Sequence, residues 1–505
     1  MNFNAHGQRS MIPLKWRIAL LLFAGVLSLS TISILKNRQL HFMGGMAEEY
    51  FGMGVNLYYH GKLSPTLTGA RIFRPPGYPF FIAVALRVWG GLPDQAEGLF
   101  TREDLHQTRL NAFRAVCLAQ GFLLSLTTVI LFLYLATYLR QRNAAVLAAL
   151  FGCNPYLIIL TGLLHYGIFH IFLTVISIYL LSNVMEKGPD KYGANVILAG
   201  LFWGLTTLTR PMSLLLPPFV LLMFLLKFQQ RWRPLLVSCI LFVLGMSLAI
   251  LPNTIHNYTL TGRIIAVNAQ GSVALWGATV KKLARNPNHY RWWELGANEG
   301  MRIYRNVTGS DHYSYTRFVN HIIQLEDEFK KEAFDNLRLK PGVYIHNFWV
   351  DFLTFNLDIN SVFIKIFQAI QNPDVRFNKK WLEVGDPQDF YSSARANGFK
   401  YNVYLLTLFG FIGVGFALKQ KDPSILVPGL VYLCFCLAHS LTYMDLMYYY
   451  IKLPFLYMFS GYLVNAVDHK LIRVPFAGTR ISAAIIINGV LVIFGLWLVT
   501  VIFLI

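Results

Sequence analysis

Charge is scarce in this chain. Asp, Glu, Lys and Arg make up 14% of its 505 residues, against about 25% in a soluble domain. That deficit excludes an ordinary water-soluble protein. Acid is the scarcer sign, with 25 Asp and Glu against 44 Lys and Arg. Cysteine is rare too: Cys117, Cys153, Cys239, Cys434 and Cys436 all lie in apolar runs. None sits in the long polar stretches, so no disulfide framework is implied, and Cys434 and Cys436 read as packing residues of one membrane helix. Alternating ten-residue strands are missing, which excludes an outer-membrane barrel. Heptad repeats and low-complexity tracts are absent. No inverted internal repeat shows, which counts against a secondary transporter. No small-residue cleavage site follows the first apolar run, so residues 1–35 are read as an uncleaved first span.

What is present is apolar: 55% hydrophobic and 15% aromatic residues, in runs that reach the roughly 20 needed to cross a bilayer. The fold class is therefore an all-α polytopic membrane protein. About 11 transmembrane helices are expected, near 14–35, 112–138, 144–164, 166–185, 194–210, 212–228, 234–254, 400–418, 424–443, 446–467 and 481–505. Residues 343–370 are apolar enough for one more. Asp351 and Asp358 argue instead for helices lying along the membrane surface.

The basic residues test this count. Arg9, Lys15 and Arg17 precede the first span. Arg140 and Arg142 follow the second, Lys187 and Lys191 the fourth, and Lys227, Arg231 and Arg233 the sixth. Lys419 and Lys421 follow the eighth, and Lys470, Arg473 and Arg480 the tenth. Each of these loops is short and basic, as cytoplasmic loops are. The net charge of +19 is thus a topology signal, and a nucleic-acid partner is rejected. Two long segments fall on the other face. The expected organisation is a transmembrane module over 1–254 with a first external loop at 36–111, an external segment over 255–399, and C-terminal spans over 400–505.

The first external loop carries the polar chemistry. Its stretch 41–63 predicts an amphipathic helix from Met46 to Tyr59 in the interface, after a turn at Gly44 and Gly45. Glu48 and Glu49 fall in its first turn, where carboxylates suit the helix dipole. Glu49, Met53 and Asn56 share one face by i, i+4, i+7 spacing. Next comes TGARIFRPPGYPFF, residues 68–81. Pro75 and Pro76 favour polyproline II, whose three-residue period would put Arg71 and Arg74 on one side. Pro79 suits the first turn of a short interfacial helix. The plainer readings are solvated acids and headgroup-anchoring arginines.

These residues resemble the membrane-embedded glycosyltransferases of the GT-C superfamily, in the branch near the aminoarabinose and protein O-mannosyl transferases. The resemblance rests on the acids after the first span, on Glu49, Tyr50, Asn56, Leu57 and Gly61, and on RPPGYP. GLTTLTRPMSL at 204–214, the segment 251–278 and the late segment 438–464 extend it. Where that branch usually has an Asp, four residues before the Tyr, this chain has Met46; Glu48 and Glu49 are the nearest acids. Its late arginine is also missing, with Lys452 nearby.

The resemblance implies a GT-C fold and an inverting transfer of a sugar from a polyprenyl-phosphate donor. The acceptor would be a lipid, glycan or protein. It implies a multi-pass inner (plasma) membrane protein whose active site faces the periplasm. Glu49 or Glu48 would be the general base. Arg74, Arg71, Arg210 and Lys452 would meet the donor phosphate. Lys452, several residues into a span, has a second reading as a side chain reaching the headgroups. Tyr50, Asn56, Tyr78, His256 and Asn257 would contact substrate. For His256 and Asn257 the plainer reading is polar residues of a turn. No metal ligand is signalled, while a divalent cation, Mg or Mn, is allowed by the superfamily. Trp292 and Trp293 suit either a sugar face or the interface. NYT at 257–259 and NVT at 306–308 match glycosylation sequons. The alternatives are an O-antigen-type ligase or polymerase using a diphosphate-linked donor, and a lipid or glycan transporter. Asp445 is the one marginal intramembrane acid that the last would want.

Overall fold

A computed structural model describes residues 13–36, 45–63, 72, 74–89, 106–187, 193–228, 231–283, 299–310, 321–357, 406–420, 422–441 and 450–468. They contain helices and connecting turns and no strand. In chain order the first four helices are α1 Leu14–Lys36, α2 Gly45–His60, α3 Gly77–Trp89 and α4 His106–Leu135. Then come α5 Gln141–Gly152, α6 Pro155–Thr161, α7 Gly167–Lys187, α8 Gly193–Thr209, α9 Leu216–Phe228 and α10 Trp232–Thr261. The later ones are α11 Gly271–Leu283, α12 Glu299–Thr308, α13 Ile322–Leu339 and α14 Pro341–Leu357. Last are α15 Leu406–Lys419, α16 Leu426–Leu441 and α17 Leu453–Asp468.

Among the described residues, six stretches are long and apolar enough to cross a bilayer: 14–35, 110–135, 167–186, 211–228, 232–261 and 423–441. Shorter apolar helices at 77–89, 193–209, 271–280 and 406–419 accompany them. The expected span at 481–505 lies outside the described residues. The span expected at 144–164 is instead two helices. Asn154 caps the second by accepting from Tyr156 N at 3.0 Å, and Pro155 opens it. A proline at that position cannot continue the preceding helix, so the chain bends there. The seventh span runs past its expected end at 254 to Thr261, closed by Gly262 at φ +67°.

The basic loops gather at one end. Arg140 Nε lies 3.0 Å from an Asp468 carboxylate oxygen. Tyr134 Oη donates to Ser424 O at 3.4 Å, and Ser424 Oγ bonds Tyr462 Oη at 3.1 Å. The end of α4, the turn between α15 and α16, and the end of α17 therefore share a face, as the charge pattern requires. At α8 and α10, Gly200, Gly204 and Gly245 face the opposite backbone, so the two helices touch without intervening side chains. Small residues at such a crossing are the usual means of close packing in lipid, where no hydrophobic force joins helices.

Two expectations need correction. Helix α2 does not present one greasy face. Every residue from Tyr50 to Asn56 is buried, because α3 packs on it and Gly54 admits Ile82 and Pro79. Helix α14 does not lie apart along a surface. Tyr344 Oη donates to Leu441 O at 2.8 Å near its start, and Tyr432 Oη donates to Asn356 Oδ1 at 2.9 Å near its end. It therefore runs antiparallel to α16, with Phe355 and Asn356 inside the bundle. Residues 358–370 lie outside the described residues.

A second apolar cluster joins α11, α12 and α13 through Trp276, Tyr304, Leu325 and Phe329. Ile72 of the first loop is buried in it. The Ala269 N–H donates to Ile72 O at 2.8 Å. The segment leading to Arg74 is thus held between this lobe and the main bundle.

Candidate active site

The site is built where the first loop meets the end of α8. Helix α2 begins at Gly45, so Glu49 and Tyr50 occupy its second turn. Arg74 Nε contacts Glu49 Oε2 at 2.5 Å, with side-chain exposures of 8% and 19%. A carboxylate and a guanidinium sequestered together neutralise each other, which offsets part of the cost of removing each from water. The resemblance gave Glu49 and Arg74 separate roles, as base and as phosphate donor; the structure joins them in one ion pair.

Gly77 explains the position of Arg74. A Cβ at this residue would lie 2.6 Å from Thr209 Oγ1 and 2.8 Å from Leu208 C and Thr209 N. The RPPG segment therefore lies directly against the last residues of α8, and the next residue is Arg210. The turn bearing Arg210 is itself pinned. Arg210 N donates to Thr206 O at 2.8 Å, and Ser213 N donates to Arg210 O at 3.0 Å. Trp203 Nε1 donates to Ser213 O at 2.8 Å, and His170 Nε2 lies 3.4 Å from Ser213 Oγ.

Arg210 places its guanidinium carbon 4.7 Å from the centroid of the Tyr166 ring. That ring meets Tyr50, Tyr78 and Tyr450 edge to face, at 5.9, 6.3 and 6.2 Å between centroids. Tyr78 Oη donates to Gln120 Oε1 at 3.0 Å. Gln120 Nε2 in turn donates to Thr161 O at 3.0 Å and Leu163 O at 2.8 Å. A buried amide bonded on all sides fixes the α6–α7 turn against α3 and α4. In that turn the Gly167 N–H donates to His165 Nδ1 at 3.0 Å. Nε2 must then carry the proton in the neutral ring, and it meets no acceptor among the described residues. Burial first, and Arg210 second, lower the His165 pKa to about 3. Both effects favour the neutral imidazole.

The structure brings together Glu49, Tyr50, Arg74, Tyr78 and Arg210 of the predicted set. Asn56 is buried on the same helix, two turns from Glu49. Glu48 lies on α2, its side chain outside the described residues, and Arg71, Trp292, Trp293 and Asp445 lie wholly outside them. His256 and Asn257 belong to helix α10, not to a turn. Asn257 Nδ2 donates to Ile265 O at 2.9 Å and Val267 O at 3.1 Å. It closes the chain reversal after Gly262, and burial at 1% exposure leaves this sequon asparagine no room for a glycan. The second sequon is likewise helical, in α12. Lys452 is fully buried, and its Nζ donates to Phe355 O at 2.9 Å. That overturns the headgroup reading, since the ammonium is satisfied inside the bundle. Tyr166, His165, Gln120 and Tyr450 escaped the sequence reading. The signal for the first two was a His-Tyr-Gly at the break between two apolar runs.

The described residues offer no ligand set for a divalent cation. No three His, Cys, Asp or Glu side chains gather among them, and Glu49 faces a guanidinium.

A family model described as dolichyl-phosphate-mannose-protein mannosyltransferase matches residues 108–256. The match spans α4 to α10 and so includes Gln120, His165, Tyr166 and Arg210. It agrees with the GT-C resemblance read from the sequence. No curated protein matches the chain. Among solved structures, the Archaeoglobus fulgidus oligosaccharyltransferase in complex with Zn and sulfate is similar. It is 14% identical at a TM-score of 0.47, over 94% of this chain and 52% of its own. AglB from the same organism, in complex with an inhibitory peptide and a dolichol-phosphate, is 12% identical at a TM-score of 0.48, over 94% and 55%. ArnT from Cupriavidus metallidurans, bound to undecaprenyl phosphate, is 13% identical at a TM-score of 0.38, over 90% and 80%. This chain spans about half the length of the two archaeal structures.

Proposed function

We propose that this chain is an integral-membrane glycosyltransferase of the GT-C type. It moves a sugar from a polyprenyl-phosphate donor to a hydroxyl acceptor on the external, periplasmic face of the inner membrane, with inversion. The observation that carries this reading is the seating of Gly77 against Leu208 and Thr209. It brings the Arg74–Glu49 pair to the turn that bears Arg210. One carboxylate and two guanidiniums then stand on segments that the charge pattern assigns to one side of the membrane. The family match over 108–256 supports the same chemistry.

The ion pair suggests how donor binding prepares the base. Phosphate oxygens compete with Glu49 for the Arg74 guanidinium, a donor well matched to phosphate. As Arg74 turns to the lipid phosphate, the Glu49 carboxylate is released toward the acceptor. The acceptor oxygen attacks the anomeric carbon and its proton passes to Glu49. The bond from that carbon to the phosphate oxygen breaks, and its electron pair leaves with the phosphate. The leaving group gains one negative charge, and Arg74 and Arg210 stabilise it in the transition state. No leaving-group acid is needed, because phosphate departs as an anion. The lobe of α11 to α13, which holds Ile72, is the natural surface for the acceptor.

The test is reconstitution in liposomes with radiolabelled polyprenyl-phosphate sugars and hydroxyl acceptors. Release of sugar from the lipid is expected. Glu49→Gln should lower turnover by about 100-fold or more, the usual range for a general base, while undecaprenyl phosphate still binds. Glu48→Gln should leave turnover within a few-fold. Movement of intact donor across the bilayer without cleavage would sink the proposal.

A further inference from the structure

Tyr166 occupies a singular position. Its ring is buried at 1% exposure and touches the segments that bear Glu49 and Arg74 as well as the one that bears Lys452. Tyr50, next to Glu49, meets it edge to face at 72°. Tyr78, just after RPPG, does so at 79°. Tyr450, two residues before Lys452, does so at 73°. Such edge-to-face geometry directs the positive rim of one ring at the negative face of another. The His165 ring packs against Tyr166 at 4.2 Å and is locked by the Gly167 N–H. The Arg210 guanidinium lies over the same ring, 4.7 Å from its centroid.

A guanidinium over an aromatic face is attracted by the ring quadrupole, which favours that position and leaves its N–H donors able to meet an anion. An arginine on an apolar support would sample several rotamers; here the ring restricts it. The neutral His165 beside it adds no competing positive charge. We infer that Tyr166 is the positioning residue for Arg210, presenting the guanidinium edge to the phosphate of a polyprenyl lipid. This rests on the phosphate role proposed above for Arg210. Through Tyr50 and Tyr78 the same ring couples the Arg210 turn to the Glu49–Arg74 pair. A shift of Tyr166 would be felt at both cations.

A double-mutant cycle on the full chain in detergent tests this, with undecaprenyl phosphate as the probe and its Kd as the readout. Arg210→Gln and Tyr166→Leu should each weaken binding by about tenfold, in line with a desolvated cation–π contact. The double variant should be no weaker than the worse single, because the ring acts through the guanidinium. Tyr166→Phe, which keeps the aromatic face, should stay within about twofold of the parent. If Tyr166→Leu fails to fold, Tyr166→Met replaces it in the same cycle, keeping apolar bulk without the ring. Additive losses in the double variant, or an unchanged Kd in both Tyr166→Leu and Tyr166→Met, would overturn the inference and leave the Arg210 role standing. An unchanged Kd in Arg210→Gln would overturn that role and the inference together.

Discussion

Gly77→Ala isolates the joint on which the site depends. The added methyl would lie 2.6 Å from Thr209 Oγ1 and 2.8 Å from Leu208 C and Thr209 N. The hydroxyl can rotate away, but the backbone of α8 cannot, since Arg210 N is bonded to Thr206 O. Moving 2.8 Å out to the 3.4 Å of ordinary contact needs a displacement of about 0.6 Å. Overpacking of this kind costs about 1–3 kcal/mol, which a bundle of this size survives. Function is more sensitive, because a misplacement of about 1 Å can cost about 100-fold in rate. Arg74 lies three residues before Gly77 and shares its displacement. Turnover of a reconstituted polyprenyl-phosphate sugar should therefore fall by roughly 10- to 100-fold, with the helical circular dichroism unchanged. Gly415→Ala is the control, since nothing lies within 4 Å of its added methyl. Wild-type turnover in Gly77→Ala would refute the claim that this contact positions Arg74.

Other predictions separate structural from functional roles. Tyr78→Phe removes the donor to Gln120 Oε1; a buried acceptor left unpaired costs about 1–3 kcal/mol, so the melting temperature should fall while undecaprenyl phosphate binding changes little. Lys452→Met removes the ammonium from Phe355 O. A charged hydrogen bond is worth about 1.5–3 kcal/mol, so thermal stability should drop with little change in lipid-phosphate affinity; a large loss of affinity would return Lys452 to the phosphate. In the α11–α13 lobe, burial raises the Glu326 pKa, partly opposed by the bond from Ser272. A carboxyl raised in the folded state stabilises that state at low pH and loses its contribution as pH rises through the folded pKa. Hydrogen-exchange protection factors of the lobe, corrected for the intrinsic rate, should therefore fall over that interval, and Glu326→Gln should abolish the fall.

Much of the architecture was legible because it follows from local rules. Apolar run length located the spans at 167–186 and 232–261, and short basic loops predicted that the ends of α4 and α17 share a face, as Arg140 and Asp468 do. Glycine and proline in RPPGYP correctly announced a break before α3. The errors came where a residue's role depends on a partner that no local periodicity announces. Helix α2 read as amphipathic because nothing in its own pattern reveals α3 and the core closing over Tyr50 to Asn56. Asn257 read as a turn residue because the carbonyls it binds come from the returning strand of chain at 265–267. Gln120 looked like one polar residue in an apolar run, and only its partners on α3 and in the α6–α7 turn explain it.

The sequence by itself determined the membrane class and the types of group available in the first loop. These depend on composition and on the cost of burying charge in lipid, which every residue reports locally. Only the tertiary structure decided that Glu49 and Arg74 hold each other, that Gly77 brings them to Arg210, and that Tyr166 stands beneath that arginine. Such contacts join residues 25 to more than 100 positions apart, and no periodicity in the chain encodes which of them meet. They are set by where helices cross and by which side chains fill the space between them.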